Sequence, residues 1–168
     1  PYSLAILPDL DRVVSTSADM KEADLSRVVQ VWRLSDLSLI KTIPLKPGPR
    51  GNEHYDPAEP RVLSDGKTVL ISTFFCGLYR IVDIESDDPS AEWVYSFSFN
   101  EKYDCAIPVV NGEYWIQTIA SKSALVSLDI SDPTKPKKVY ELKFQKGEWP
   151  HWISLEPNRR RIIITGNN

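Results

Sequence analysis

Apolar residues in this chain come in short runs, each meeting a polar turn and then a β-branched or aromatic run, which is how a β-hairpin reads. Glu59 to Thr73 folds about Asp65-Gly66, and Ala106 to Thr118 folds about Asn111-Gly112. Pro150 to Thr165 folds about Pro157-Asn158-Arg159. A looser copy near the start pairs Leu4–Leu7 with Val13–Thr16 and predicts a third strand over Val28–Leu34, with Met20–Ser26 as an inserted surface loop. Thirteen prolines against seven glycines suit many short strands and turns and argue against long helices.

The copies recur at a fixed interval. Thr118 follows Thr73 by 45 residues, and Thr165 follows Thr118 by 47. The third strands repeat too, Leu78 to Asp83 and Leu125 to Asp129, with 46 residues between the two aspartates. A fourth, outer strand closes each copy: Leu39 to Leu45, Glu92 to Phe99, and Lys138 to Phe144. Four strands in a period of roughly 40 to 50 residues is the signature of a β-propeller blade, whereas a sandwich of similar strand content has no reason to repeat. The expected class is all-β, a β-propeller of about three and a half four-stranded blades in this chain. Blade 1 covers about 1–46, blade 2 about 58–100, blade 3 about 104–145, and blade 4 starts at about 149–168. A half-blade leaves unpaired strand edges, so the remaining blades of the same protein are expected to be partners of these.

Composition narrows the picture only a little. The 168 residues are 42% hydrophobic and 26% charged with a net charge of −3, which gives no basic footprint for nucleic acid. The run Arg159-Arg160-Arg161 falls at a turn and reads as solvated. No apolar stretch is long enough for a membrane-spanning helix.

Candidate chemistry gathers on one face. In a blade with alternating strands, the loop leading into the innermost strand shares a face with the turn between the second and third strands. His54, Cys105 and His151 fall in the loops leading into blades 2, 3 and 4, and Cys76 in the second-to-third-strand turn of blade 2. Imidazole and thiolate are ligands for copper or zinc, so His54 and His151 are candidate metal ligands. Cys76 and Cys105 are open to three roles: ligands, a redox pair, or a disulfide between neighbouring blades. Glu59, Glu53 and Asp104 could orient an imidazole or complete the coordination. Histidines that merely bond loop carbonyls are an equally good account of the pattern. Trp149, Trp152, Tyr55 and Tyr103 could form an aromatic rim or pack between blades, and Asp83 and Asp129 fit turn capping. There is no G-x-S-x-G, C-x-x-C or glycine-rich phosphate loop.

Three segments carry a family resemblance: Ser72-Thr73-Phe74-Phe75-Cys76-Gly77-Leu78-Tyr79, then Asp129-Ile130-Ser131-Asp132-Pro133-Thr134-Lys135-Pro136, then Pro150-His151-Trp152-Ile153. Together they resemble bacterial propellers related to the selenium-binding proteins, a group that includes methanethiol oxidases. The resemblance implies seven blades, histidine-bound copper near the channel and oxidation of a small thiol, with further ligands from other blades. It also tilts the compartment toward the periplasm or outside. The alternative is a non-catalytic propeller whose loop face binds a small molecule at the channel mouth or a protein partner.

Overall fold

Both faces of the middle strands are apolar, and this governs the architecture. In the computed structural model, which describes residues 1–18, 24–97 and 104–166, the chain forms three four-stranded antiparallel sheets and one two-stranded sheet. Blade 1 is β1 (Leu4–Leu7), β2 (Arg12–Thr16), β3 (Val28–Arg33) and β4 (Leu39–Pro44). Blade 2 is β5 (Pro57–Val62), β6 (Val69–Thr73), β7 (Gly77–Val82) and β8 (Ser90–Ser96). Blade 3 is β9 (Cys105–Asn111), β10 (Tyr114–Ile119), β11 (Ala124–Asp129) and β12 (Lys137–Lys143). The hairpin β13 (Pro150–Leu155) and β14 (Ile162–Gly166) begins blade 4. Within each sheet the strands pair in chain order, so the chain is a β-propeller of about three and a half blades, as the repeat predicts. The strand ends differ from expectation by a residue or two, and Phe99, Tyr103 and most of the expected Met20–Ser26 loop lie outside the described residues.

Alternation along the strands sorts side chains between neighbours. Val69 and Ile71 on β6 and Tyr79 on β7 join Val14, Val29 and Val31 in a core between blades 1 and 2. Leu70 and Leu78, one residue out of phase, join Trp115, Val126 and Leu128 between blades 2 and 3. Ile107, Ile116, Leu125 and Ile153 fill the next gap. The first strands β1, β5, β9 and β13 lie one against the next and form the inner wall.

Polar staples cross the same gaps. The Arg12 guanidinium, buried under blade 1, donates to the carbonyls of Ile84 and Glu85 at 3.1 and 2.9 Å. The repeating threonines have a physical role. Thr16 Oγ1 donates to the Ala58 carbonyl at 2.6 Å, and Thr118 Oγ1 to the His151 carbonyl at 3.0 Å, each tying a second strand to the next blade's first. Thr73 Oγ1 instead holds the loop above its own blade, donating to the Glu53 carbonyl at 2.6 Å. The turn role expected of Asp129 is present: its Oδ1 accepts from the Ser131 amide at 2.9 Å. The Arg159–Arg161 turn is solvent-exposed, with Asn158 Oδ1 accepting from the Arg160 amide.

Replacing Thr118 with valine keeps the shape, removes the donor and leaves the His151 carbonyl without its partner. The expected loss is about 1–2 kcal/mol of stability, read from the urea midpoint. An unchanged midpoint would show that apolar packing alone joins blades 3 and 4.

Candidate functional site

The loop from β4 to β5 crosses the top of blade 2, and its seat requires two glycines. A side chain at Gly77 would bring its Cβ within 2.5 Å of the Glu53 carbonyl oxygen, and one at Gly48 within 2.7 Å of Glu53 Cδ. Glu53 is fully buried. Its Oε1 accepts from the Arg50 amide at 2.8 Å and from Ser96 Oγ at 3.0 Å, and Arg50 Nε stands 3.4 Å away. Burial pushes the Glu53 carboxyl upward, but the Arg50 amide, its own amide, the Ser96 hydroxyl and the Arg50 charge outweigh it, so its pKa lies below the ordinary value. Glu53, expected to orient an imidazole, thus anchors the loop. Asp56 at the loop's end has φ 50°, a left-handed conformation that costs a non-glycine residue energy. It is held there by the Ser26 amide donating to Oδ1 at 2.9 Å and the Phe74 amide donating to its carbonyl at 3.0 Å.

The β6–β7 turn, Phe74-Phe75-Cys76, is the hub beneath this loop. The Phe75 carbonyl accepts from Arg50 Nη2 at 2.7 Å, and the Phe74 carbonyl from the Asp104 amide at 3.1 Å. Cys76, with φ 64°, is bonded to Cys105 at the start of β9. Of the three roles open to the cysteines, the structure shows the disulfide. Both sulfur-bearing residues are buried in the core between blades 2 and 3. Asp104 is buried beside them, with Oδ1 accepting from the Ser121 amide at 2.6 Å. It therefore shapes the start of blade 3.

His54 is only 5% exposed. Its ring lies on Tyr55 with centroids 4.2 Å apart, and Arg27 sits 4.9 Å over the Tyr55 ring. Burial first, and then the charge of Arg27, lower its pKa below the ordinary imidazole value, with Glu53 opposing. His151 is half-buried on β13, a blade away from Cys105 and two from His54. Among the described residues no three His, Cys, Asp or Glu side chains form a group that could hold a metal ion. The copper or zinc expected from the sequence does not fit these residues by themselves, because the sulfurs are bonded to each other and Arg27 places positive charge beside His54. Of the expected aromatic rim, Tyr55 packs edge-on to Phe75 at 5.3 Å. Trp152 on β13 and Trp149 just ahead of it are both exposed.

The inner wall carries a group that the sequence reading did not assemble. Glu59 and Arg61, two apart on β5, share a side of the strand. Arg61 Nη1 donates to Glu59 Oε2 at 2.7 Å, and Ser3 Oγ, ahead of β1, donates to the same oxygen at 3.3 Å. Arg61 Nε donates to the Pro108 carbonyl on β9 at 3.3 Å. β5, β9 and the segment just ahead of β1 thus meet at one ion pair. Tyr2 stands edge-on to Phe74 at 5.3 Å. Burial, then Glu59, raise its pKa, and Arg61 works the other way. The i, i+2 spacing of Glu59 and Arg61 was the available signal; Ser3 had none.

Buried polar atoms are nearly always paired. Here the exceptions among the described residues include a run in the β4–β5 loop, Arg50 Nη1, Asn52 Oδ1, Glu53 Oε2 and His54 Nδ1, besides Ser72 Oγ, Asp104 Oδ2 and Glu156 Oε2, while Arg50 Nε has only the ion-pair contact to Glu53.

No protein-family model and no curated protein matches the chain. Among solved structures it is similar to a Lactobacillus plantarum protein at 14% identity and TM-score 0.73, over 99% of this chain and 50% of that one. It is similar to the periplasmic gluconolactonase of Pseudomonas aeruginosa at 12% identity and TM-score 0.70, over 97% of this chain and 46% of that one. It is also similar to a Bacteroides fragilis protein described as a 6-phosphogluconolactonase, at 12% identity and TM-score 0.68, over 98% of this chain and 49% of that one. The chain spans about half the length of these structures. At such identities the likeness establishes the propeller fold alone, and it does not extend the selenium-binding resemblance beyond that fold.

Two outcomes follow. Opening the disulfide with reductant, or replacing Cys105 with serine, frees an unfolded-state loop closed across 29 residues of separation. It should cost about 3–4 kcal/mol, seen as a lower urea midpoint; a midpoint indifferent to reductant would mean that packing alone holds blades 2 and 3. His54 gives a pH effect of definite sign. Above its ordinary pKa of 6.5 it is neutral in both states and adds nothing. Below that value the unfolded chain takes up the proton first, so acidification destabilises the fold until the lowered folded pKa is reached. His54→Gln should flatten the fall in stability as the pH drops below 6.5; parallel curves for both proteins would contradict the buried neutral imidazole.

Proposed function

We propose that this chain supplies part of the site of a propeller enzyme, seven-bladed when complete, that hydrolyses a small oxygen-rich molecule of the lactone class at the loop face around the channel. The supporting observation is the run of unpaired buried polar atoms along Arg50–His54, in the loop that leads into β5, the strand that carries Glu59 and Arg61. Strained, incompletely satisfied polar clusters concentrate at functional sites. The solved structures of similar fold include a gluconolactonase, which gives the reaction class.

In lactone hydrolysis water adds to the ring carbonyl, the ring C–O bond breaks, and the proton lost by water is returned to the departing alkoxide. His54 is the group suited to that proton, because its lowered pKa keeps it neutral and able to accept at neutral pH. The buried disulfide suits an oxidising compartment, so the protein works outside the cytosol. The competing reading, copper-dependent oxidation of a small thiol, needs donors beyond His54 and His151 from the other blades. A purely binding propeller needs no turnover at all.

The test uses the full-length protein prepared without chelators or a histidine tag. Acid release from gluconolactone above the spontaneous rate, reduced about a hundredfold or more in His54→Asn, supports the lactonase reading. Near-stoichiometric copper with thiol-dependent oxygen uptake would replace it with the oxidase. Neither activity and no bound metal would leave a binding platform.

A further inference from the structure

Two buried or half-buried arginines cross blade gaps here, and they are built differently. Arg12 gives all its hydrogen bonds to main-chain carbonyls, Nε to Ile84, Nη1 to Leu10 and Asp11, Nη2 to Glu85, with the exposed Asp87 carboxylate only at 4.0 Å from Nη2. Its side chain is 10% exposed. That is a staple, its hydrogen bonds all given to the protein's own backbone. Arg61 takes the carbonyls of Pro108 and Pro60 but turns Nη1 onto the carboxylate of Glu59, and its side chain is 28% exposed. Among the described residues neither Arg61 Nη2 nor Glu59 Oε1 has a hydrogen-bond partner, and neither is a buried orphan. The pair thus leaves one donor and one acceptor on the inner wall unused by the described residues.

A carboxylate–guanidinium pair drawn this far from water within one strand is expensive to keep, since apolar residues of similar volume usually serve as well or better. Its retention on the inner wall makes sense if the unused edge is read by a ligand. The charges of Glu59 and Arg61 cancel, so an anion is repelled by the one and a cation by the other. What matches a donor beside an acceptor is a neutral group offering both, and adjacent hydroxyls on a carbon ring do so. Ser3, fixed on the same carboxylate oxygen, and the Tyr2 ring, 37% exposed and braced edge-on by Phe74, flank the pair with a hydroxyl and an apolar face. Polar hydrogen bonds to ring hydroxyls together with an aromatic surface for the C–H face make up a sugar-type site.

We propose that Glu59 and Arg61, with Ser3 and Tyr2, form a recognition site on the inner wall for a neutral molecule bearing adjacent hydroxyl groups, a sugar or sugar lactone rather than a sugar acid or phosphate. This rests on the reading that the channel face acts on an oxygen-rich molecule, and it names the substrate's charge and the residues that bind it. Glu59 and Arg61 are binding residues in this scheme, distinct from the proton acceptor His54.

The experiment is calorimetric titration of the full-length protein with glucose, which cannot be hydrolysed as a lactone, and separately with gluconate and 6-phosphogluconate. Glucose should bind, with the two anions at least tenfold weaker. Arg61→Lys keeps the charge but loses the planar fork, and Glu59→Gln keeps the shape but loses the charge. Each should weaken glucose binding about tenfold or more while the protein still unfolds cooperatively. Ser3→Ala, which leaves the ion pair in place, should weaken it severalfold and guards against loss of folding in the other two. Tighter binding of either anion, no glucose binding, or affinities unchanged in Arg61→Lys and Ser3→Ala would overturn the proposal. The two readings separate cleanly. Glucose binding that depends on Arg61 without lactone turnover keeps the site and removes the reaction, whereas turnover with KM unmoved by Arg61→Lys keeps the reaction and removes the site.

Discussion

A four-stranded sheet with two apolar faces has nowhere to bury them except against further sheets of the same kind. Every other feature of this molecule depends on that constraint. Val69 and Ile71 need blade 1, and Leu70 between them needs blade 3, so blade 2 is stable only as a middle member. Stacking about an axis satisfies all faces at once and brings the first strands together at the centre. The polar staples then fix what the apolar contacts leave free. Thr16 and Thr118 set the height of one blade against the next through single hydroxyl–carbonyl bonds.

Above the blades the chain must travel from each outer strand back to the next inner strand, and that path is where regular pairing ends. Over blade 2 the loop is held by one buried carboxylate, Glu53, by its own carbonyl on Thr73, and by glycines at 48 and 77 that let the backbone approach. The Cys76–Cys105 bond holds the turn below it against blade 3. The loop is thus rigid at its anchor and incompletely satisfied around it, the combination expected where a folded scaffold presents polar groups to a ligand.

The charges at the centre follow a different logic from those at the rim. Exposed pairs such as Lys67–Glu85 and Arg33–Asp36 lie in solvent and contribute little to stability. Glu59 and Arg61 are drawn from water by three surrounding strands, where their interaction is stronger and their geometry more constrained. Because they tie β5 to β9 and to Ser3 ahead of β1, any ligand held there reports on the alignment of three blades.

The repeat made the fold legible in the sequence. Local hairpin patterns recurring every 45 to 47 residues between Thr73, Thr118 and Thr165 reflect a unit whose burial needs are identical each time, so period and strand count carry over directly into architecture. The same topology placed His54, Cys76, Cys105 and His151 on one face. Which of them act together was decided only in three dimensions. The cysteines met as a disulfide, Glu53 turned inward as an anchor, and His54 settled against Tyr55 and Arg27 far from His151 in blade order. The meeting of Ser3 with Glu59, 56 residues apart, and of Arg61 with Pro108, 47 apart, depends on the angle and height at which blades stack. Sequence encodes that stacking through the shapes of many buried side chains at once, whereas hairpin and period arise from neighbours along the chain.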